Sequence, residues 1–303
     1  MNSLDSNILS NFLDTTHTSD ISHKQLSSWG FTPPDFDRPV FKYLSIDAAL
    51  AVLSNCTLKY SSPIVFNDPF ELNLDLIDFT GTLKQLRDHQ IKMFENTVIA
   101  SNTISKKKWK KLTNTTSASE LVASFKNTFE EFKKETMVLC LSEIQNNILM
   151  WSHYADKHSG ICIGFKFPKV QNVWKTITLK VNYVEQIKKI KLIESSGSFD
   201  SLILKWIFTK FEHWAYEKEV RICFQNDSFA HIPEKKIYPQ SNFITYVPFD
   251  PAQICEIYYG LNTSKDNISK IEKLLEQQNI LLTNKGKMNK IENSFELGFD
   301  PLK

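Results

Sequence analysis

The chain lacks the short motifs that identify most common enzymes. It has no Gly-rich phosphate loop, no Gly-x-Ser-x-Gly elbow and no EF-hand loop, which excludes P-loop nucleotide hydrolases, serine hydrolases with that elbow, and EF-hand calcium sites. No run approaches the roughly 20 consecutive apolar residues a membrane helix needs. The opening Met1-Asn-Ser-Leu-Asp-Ser6 has neither a basic region nor an apolar one, so neither a membrane span nor export is expected. A net charge of +2 gives no general pull toward nucleic acid or anionic lipid. The five cysteines are odd in number, widely spaced and mostly set in apolar runs such as Met137-Val-Leu-Cys-Leu141; that pattern predicts reduced core thiols in a cytoplasmic protein and no metal site.

What is present is core material. With 42% hydrophobic and 12% aromatic residues over 303 positions, the chain can bury more than one layer of secondary structure. No Pro/Gly/Ser-rich linker divides it, so residues 39–303 are expected to form a single domain. Residues 1–38 are polar, end in Pro33-Pro-Asp-Phe-Asp-Arg-Pro39, and predict an N-terminal arm packed on the body.

Periodicity sets the elements. Strands are expected at 41–44, 56–60, 137–141, 161–167, 177–184, 219–224 and 254–259. Helices are expected at 46–54 after Ser45, at 83–100, at about 147–156 with Gly160 as a left-handed stop, and at about 200–211. A further helix at 118–134 carries a Ser117/Glu120 capping box and a stripe of Leu121, Phe125, Phe129 and Phe132. The helix at 265–278 leads into a strand at 280–283, a β-α-β end. Strands and helices mix irregularly, which predicts an α+β fold with a mixed, mainly antiparallel sheet and packed helices.

Three segments concentrate polar chemistry. Asn67-Asp-Pro-Phe-Glu71 sets two carboxylates and a carboxamide about a rigid turn, where Asn67 and Asp68 could hold a ligand; equally, Asp68, Pro69 and Glu71 suit a helix N-cap, first turn and capping box. Met150-Trp-Ser-His-Tyr-Ala-Asp-Lys-His-Ser-Gly160 places His153 and Asp156 three apart on a helix, an arrangement that can orient an imidazole for acid/base work or serve as a satisfied helical histidine. Trp214-Ala-Tyr-Glu-Lys-Glu-Val-Arg221 puts Glu217, Glu219 and Arg221 on one face of a strand by period two. Two carboxylates beside a guanidinium can stabilise a cationic transition state or form an ion-paired surface. The basic run Lys106-Lys-Lys-Trp-Lys-Lys111 fits a phosphate backbone or a solvated segment.

In order and spacing, the segments Phe41–Ser45, Phe66–Glu71, Leu141–Glu143, Met150–Gly160 and Trp214–Arg221 resemble the bacterial domain-of-unknown-function family numbered 2971, from about Phe41 to Gly260. The resemblance implies bacterial intracellular origin and a mobile-element or phage-defence context. The layout is also distantly similar to ADP-ribosyltransferase-like folds, which use an early His or Arg strand, a Ser or Thr strand and a later Glu-x-Glu strand. The matching positions here are Tyr43, then Ser61 and Ser62, then Glu217-Lys-Glu219, with Lys42-Tyr43 departing from the His or Arg. This implies an enzyme that takes NAD as substrate and transfers ADP-ribose to a macromolecule, protein or nucleic acid, or to water.

In that reading Glu219, Glu217 and His153 are catalytic, and Tyr43, Ser61, Ser62, Asn67, Asp68, Trp151, Tyr154 and Arg221 bind substrate. Trp151 and Tyr154 stack the base, and Arg221 positions a carboxylate or phosphate. Such an enzyme would be a toxin or phage-defence effector with a cognate antitoxin as partner; the alternatives are a metal-independent ribonuclease using His153 and a Glu with Lys106–Lys111 holding RNA, and a non-catalytic sensor or toxin-partner module that uses the same pocket only for binding.

Overall fold

The computed structural model describes residues 23–100, 111, 114–167, 176–186, 188–193, 199–225, 238–241 and 243–302. Among them, seven helices run α1 His23–Ser28, α2 Ile46–Asn55, α3 Leu83–Ala100, α4 Ala118–Glu135, α5 Ile148–Tyr154, α6 Phe199–Ile207 and α7 Lys265–Gln277. The first strands are β1 Val40–Leu44, β2 Thr57–Ser61, β3 Ile77–Asp78, β4 Thr136–Ser142 and β5 Ile161–Phe165, followed by β6 Ile177–Lys180, β7 Asn182–Val184 and β8 Ile190–Lys191. The remainder are β9 Thr209–Phe211, β10 Glu219–Gln225, β11 Tyr238–Ser241, β12 Ile244–Pro248, β13 Ile254–Tyr259, β14 Asn284–Lys290 and β15 Leu297–Pro301. The fold is α+β.

Eleven strands form one sheet in the order β11-β12-β2-β4-β1-β5-β13-β14-β15, with β10 on the other edge of β4 and β6 beyond it. Every pairing in it is antiparallel except β13 with β14, which α7 connects as a β-α-β unit. Strand β10 lies against β4 over its full length, from Glu219 opposite Ser142 to Gln225 opposite Thr136.

Alternation along these strands divides the core. Val220, Ile222 and Phe224 join Met137, Leu139 and Leu141 in an apolar layer with Val52, Leu53, Ile271 and Leu275 of α2 and α7. On the other face Cys223 and Val138 meet the α4 stripe of Leu121, Phe125, Phe129 and Phe132, and the buried Trp206 of α6. Each fully buried side chain of this kind contributes about 1.5–3 kcal/mol. The α4 capping box is complete, Ser117 Oγ accepting from Glu120 N and Glu120 from Ser117 N. On the same sheet face a third patch, Phe41, Tyr43, Met150, Trp151 and Tyr258, sits under α5. From the N-terminal segment, Leu26 and Phe31 are buried in the α4 layer.

Four local expectations are corrected. Gly160 is not left-handed; Asp156, Lys157 and His158 take positive φ instead, at 46°, 51° and 70°, and α5 stops at Tyr154. Gly160 is needed for space, because a Cβ there would strike the Leu44 carbonyl oxygen. The expected strand at 177–184 divides at Val181: its N–H donates to Glu219 O, and the next, of Asn182, donates to Phe208 O, so the chain passes from β10 to β9. The expected helix at 200–211 ends at Ile207, whose carbonyl accepts from Arg221 Nη1, and Thr209–Phe211 becomes β9. Residues 280–283 are not a strand; the parallel partner of β13 is β14, beginning at Asn284.

Candidate functional site

Five charged side chains from three separate segments meet where the α4 layer gives way to the patch under α5. Strand β10 supplies Glu219 and Arg221 on the face shared with Cys223, and their side chains are 4% and 0% exposed. Glu217 closes the 3-10 turn Glu212–Glu217, and Lys218, left-handed at φ 45°, kinks the chain into β10. The two glutamates therefore do not lie on one continuous strand, yet both reach the same cation. That cation is Lys210 of β9, whose Nζ lies 2.6 Å from Glu217 Oε2 and 3.3 Å from Glu219 Oε2.

Arg221 forks onto Glu219, Nε to Oε1 at 2.8 Å and Nη2 to Oε2 at 3.0 Å. Its Nη2 also pairs with Glu71 Oε1. Glu71 arrives from the turn after Phe66. Asp68 Oδ1 accepts from Phe70 N at 2.9 Å and Asp68 O from Glu71 N, a side-chain-stabilised turn rather than a helix start. That turn aims Glu71 inward, 3.6 Å from Lys210 Nζ. Phe66 lies against the Arg221 guanidinium, 5.7 Å from ring centre to Cζ, and the Lys210 ammonium lies 4.8 Å over Trp214.

Neighbouring groups fix the glutamates. Tyr154 of α5 donates its hydroxyl to Glu217 Oε1 at 2.6 Å, Ser142 Oγ donates to the Glu217 carbonyl at 2.6 Å, and the Tyr183 hydroxyl accepts from Glu219 N at 2.8 Å. The charges reshape one another. Burial raises the Glu219 carboxyl above its ordinary range and Glu217 adds to this, against the opposing pull of Lys210. Burial alone would lower Lys210, but Glu219 and Glu217 outweigh it and hold the ammonium protonated far into the alkaline range. Burial brings Arg221 down to about 10 and drives the Cys140 thiol, beside Glu219, well upward.

Glu71, Lys210, Glu217 and Glu219 border a cavity of about 120 Å³, walled also by Phe41, Tyr43, Phe66 and Met150. Lys42 enters it as well, its Nζ donating to Cys140 O at 2.8 Å, with its pKa lowered by burial. An apolar cavity of about 150 Å³ holds one benzene, so the space suits a single ring, not a whole dinucleotide. Removing several charges from water costs several kcal/mol per ion, and apolar residues of equal volume are often as stable. Stability alone gives no reason for this cluster, whereas carboxylates and cations around a hollow are what a polar reaction requires.

The structure brings Glu217, Glu219, Tyr154, Tyr43 and the exposed Asn67 to the wall of this cavity, with Arg221 paired to Glu219 behind it. It takes others elsewhere. His153 is exposed, its Nδ1 3.1 Å from the Tyr216 hydroxyl. Trp151 is buried, donating Nε1 to Gln145 O and packing edge-on to Tyr43. Ser61 sits in β2 opposite Val138, and Ser62 Oγ donates to Lys133 O and accepts from Ile64 N. Asp68 lines a separate cleft. The run 106–111 falls, but for Lys111, outside the described residues.

The sequence did not point to Lys210, Lys42 or Cys140 as site residues, and it noted Glu71 as a carboxylate of the turn without assigning it a place in the site. Glu71 is fully explained as a cap, and Lys210 lies inside a stretch that reads as helix.

Part of the site lies in the stretch of the chain that matches a known family. Residues 150–222 match the family described as "Protein of unknown function (DUF2971)". The matched stretch contains most of α5, all of β9, and Glu217, Glu219 and Arg221, hence three of the five charged residues of the cavity wall, Lys210, Glu217 and Glu219. No curated protein and no solved structure matches the chain. Among the described residues no helix is long and apolar enough to cross a membrane, and no three His, Cys, Asp or Glu side chains are placed to hold a metal ion.

Proposed function

We propose that the cavity is the active site of an intracellular enzyme that cleaves the nicotinamide–ribose bond of NAD and passes ADP-ribose to water or to a macromolecular acceptor. The observation that carries this reading is the convergence of Glu217 and Glu219 on the wall of a ring-sized, largely apolar hollow. Nicotinamide is such a ring. It is already cationic in NAD and leaves as a neutral base, so the step needs no general acid. What it needs is negative charge beside the oxocarbenium ion that develops on the ribose.

Glu219, fixed by the Arg221 fork and Lys210, supplies that charge without reorganising. Glu217, held by Tyr154 and Lys210, lies beside it to orient the attacking oxygen and receive its proton. Tyr43 and Phe66 provide aromatic wall for the departing base. The bond broken is ribose C1′ to the pyridinium nitrogen, whose electron pair leaves with nicotinamide; the bond formed is C1′ to the acceptor oxygen. In the cytoplasm such an activity fits a toxin or phage-defence effector kept in check by a cognate antitoxin. Similarity to ADP-ribosyltransferase-like folds rests on the Glu-x-Glu pattern of 217–219.

The test is release of nicotinamide from NAD by the purified chain, followed chromatographically with and without added protein and RNA acceptors. Release is expected; NAD left intact under all these conditions overturns the reading.

A further inference from the structure

A second hollow flanks the charged cluster. It measures about 330 Å³ and meets the first only at Glu71 and Lys210, and the residues that bound it differ in kind. Its apolar wall is Phe70, Leu76, Val184 and Phe211, with Gln186 and Thr209 among the polar residues beside it. Val184 and Phe211 are register partners in the short parallel pair of β7 and β9, which makes a firm base. Phe70 is 57% exposed at the edge, a large ring left in water beside an apolar cleft.

One polar atom here has no partner. Asp68 is 4% exposed, and its Oδ2 is buried without a hydrogen bond, although Oδ1 accepts from Phe70 N. Leaving a buried carboxylate oxygen unsatisfied is costly, and an incoming N–H or O–H would recover that loss. The surrounding charge selects the ligand further. Glu185 and Glu71 add to Asp68, while the sole cation of the lining, Lys210, is already shared among Glu71, Glu217 and Glu219. Phosphate is repelled from such a cleft. A flat, uncharged ring with an exocyclic amine satisfies every wall.

We infer that this cleft binds a purine nucleoside, the base lying against Phe211 and Phe70, its amine donating to Asp68 Oδ2. The site goes beyond the cavity chemistry proposed above and does not depend on it. The adenine amine supplies the donor that the buried Asp68 Oδ2 lacks, and the ribose hydroxyls go to Glu185 and Gln186 at the exposed end.

Calorimetric titration of the whole chain with adenosine and with AMP tests this. Adenosine is expected to bind at least tenfold more tightly than AMP. Asp68→Asn should weaken adenosine tenfold or more, and Val184→Trp, which fills the cleft without touching the carboxylates, should abolish binding. Equal affinity for adenosine and AMP, no adenosine binding at millimolar concentration, or wild-type affinity in Val184→Trp overturns the assignment. If Asp68→Asn does not fold, Val184→Trp still decides. Adenosine binding by a chain that leaves NAD intact supports this site while removing the activity proposed above.

Discussion

Glu71 and Arg221 are 150 positions apart in sequence and form a buried ion pair, 3% and 0% exposed. The pair ties the turn after Phe66 to the sheet.

Because both partners are out of water, removing either one strands a charge. Arg221→Met is expected to destabilise the fold by about 3–5 kcal/mol, the usual result of breaking a buried pair from one side. Arg221 also holds the Ile207 carbonyl and forks onto Glu219, so the loss should lie at the upper end. Glu71→Gln, which keeps shape and one acceptor, should cost less. Urea unfolding of the two single variants and the double variant measures the coupling, and additive losses would show that the pair is not an energetic unit.

Glu219→Gln should keep the fold and lose NAD cleavage by about 10²–10³-fold, the range seen when one oriented transition-state stabiliser is removed. The change keeps an acceptor for the Arg221 fork, so circular dichroism should match the wild type. Turnover within threefold of the wild type would remove Glu219 from the mechanism. Glu217→Gln should reduce transfer and leave affinity for NAD unchanged.

How much of this arrangement could be read in advance depended on whether neighbours in space were neighbours in sequence. Glu217, Glu219 and Arg221 fall within five positions, and period two brings the last two together on β10 as alternation requires. Lys210, which balances the glutamates, was hidden because 200–211 has helical composition throughout. Only the capture of the Ile207 carbonyl by Arg221 and the docking of β9 on β7 end that helix early, and both are tertiary events. Glu71 was hidden differently: Asp68-Pro-Phe-Glu71 satisfies a complete local pattern for a helix start, and only a partner elsewhere in the chain turns it into a buried ion pair. His153 shows the converse: helical spacing set it on a face with Asp156 but could not tell whether that face looked inward, and it is the next residue, Tyr154, that reaches Glu217.

Stability should depend on pH through Glu219 in a direction opposite to that of most carboxylates. Burial raises its pKa above the ordinary glutamate value of 4.5 in the folded chain. The folded state therefore holds this proton more tightly than the unfolded state does. Any stabilisation from this group is complete below pH 4.5 and declines as pH rises through the folded pKa. Glu219→Gln removes that decline. Urea titrations between pH 4 and 8 should show wild-type stability falling relative to the variant as pH rises, and a constant difference would contradict the shift.

Gly160 is expected to be intolerant of any side chain. A Cβ there would meet the Leu44 and Ala155 carbonyl oxygens, backbone atoms that cannot rotate away, and β5 begins at the next residue. Gly160→Ala should cost about 3 kcal/mol, the upper end for overpacking, read as a fall in the urea midpoint with unchanged slope. Ala at Gly30, which has open space around it but a φ of +85°, tests the contrasting case of conformational strain with no clash.

Ser62 separates a structural from a substrate-binding role within one residue. Its hydroxyl donates to Lys133 O and accepts from Ile64 N, joining the end of α4 to the short turn after β2, and its side chain is absent from the wall of the charged cavity. Ser62→Ala should therefore lower stability by about 1 kcal/mol, the usual loss for a cap and one buried hydrogen bond. It should leave the KM for NAD unchanged. A rise in KM with no change in the urea midpoint would mean that the hydroxyl faces substrate after all, and that the turn at 62–66 moves to meet it when NAD binds.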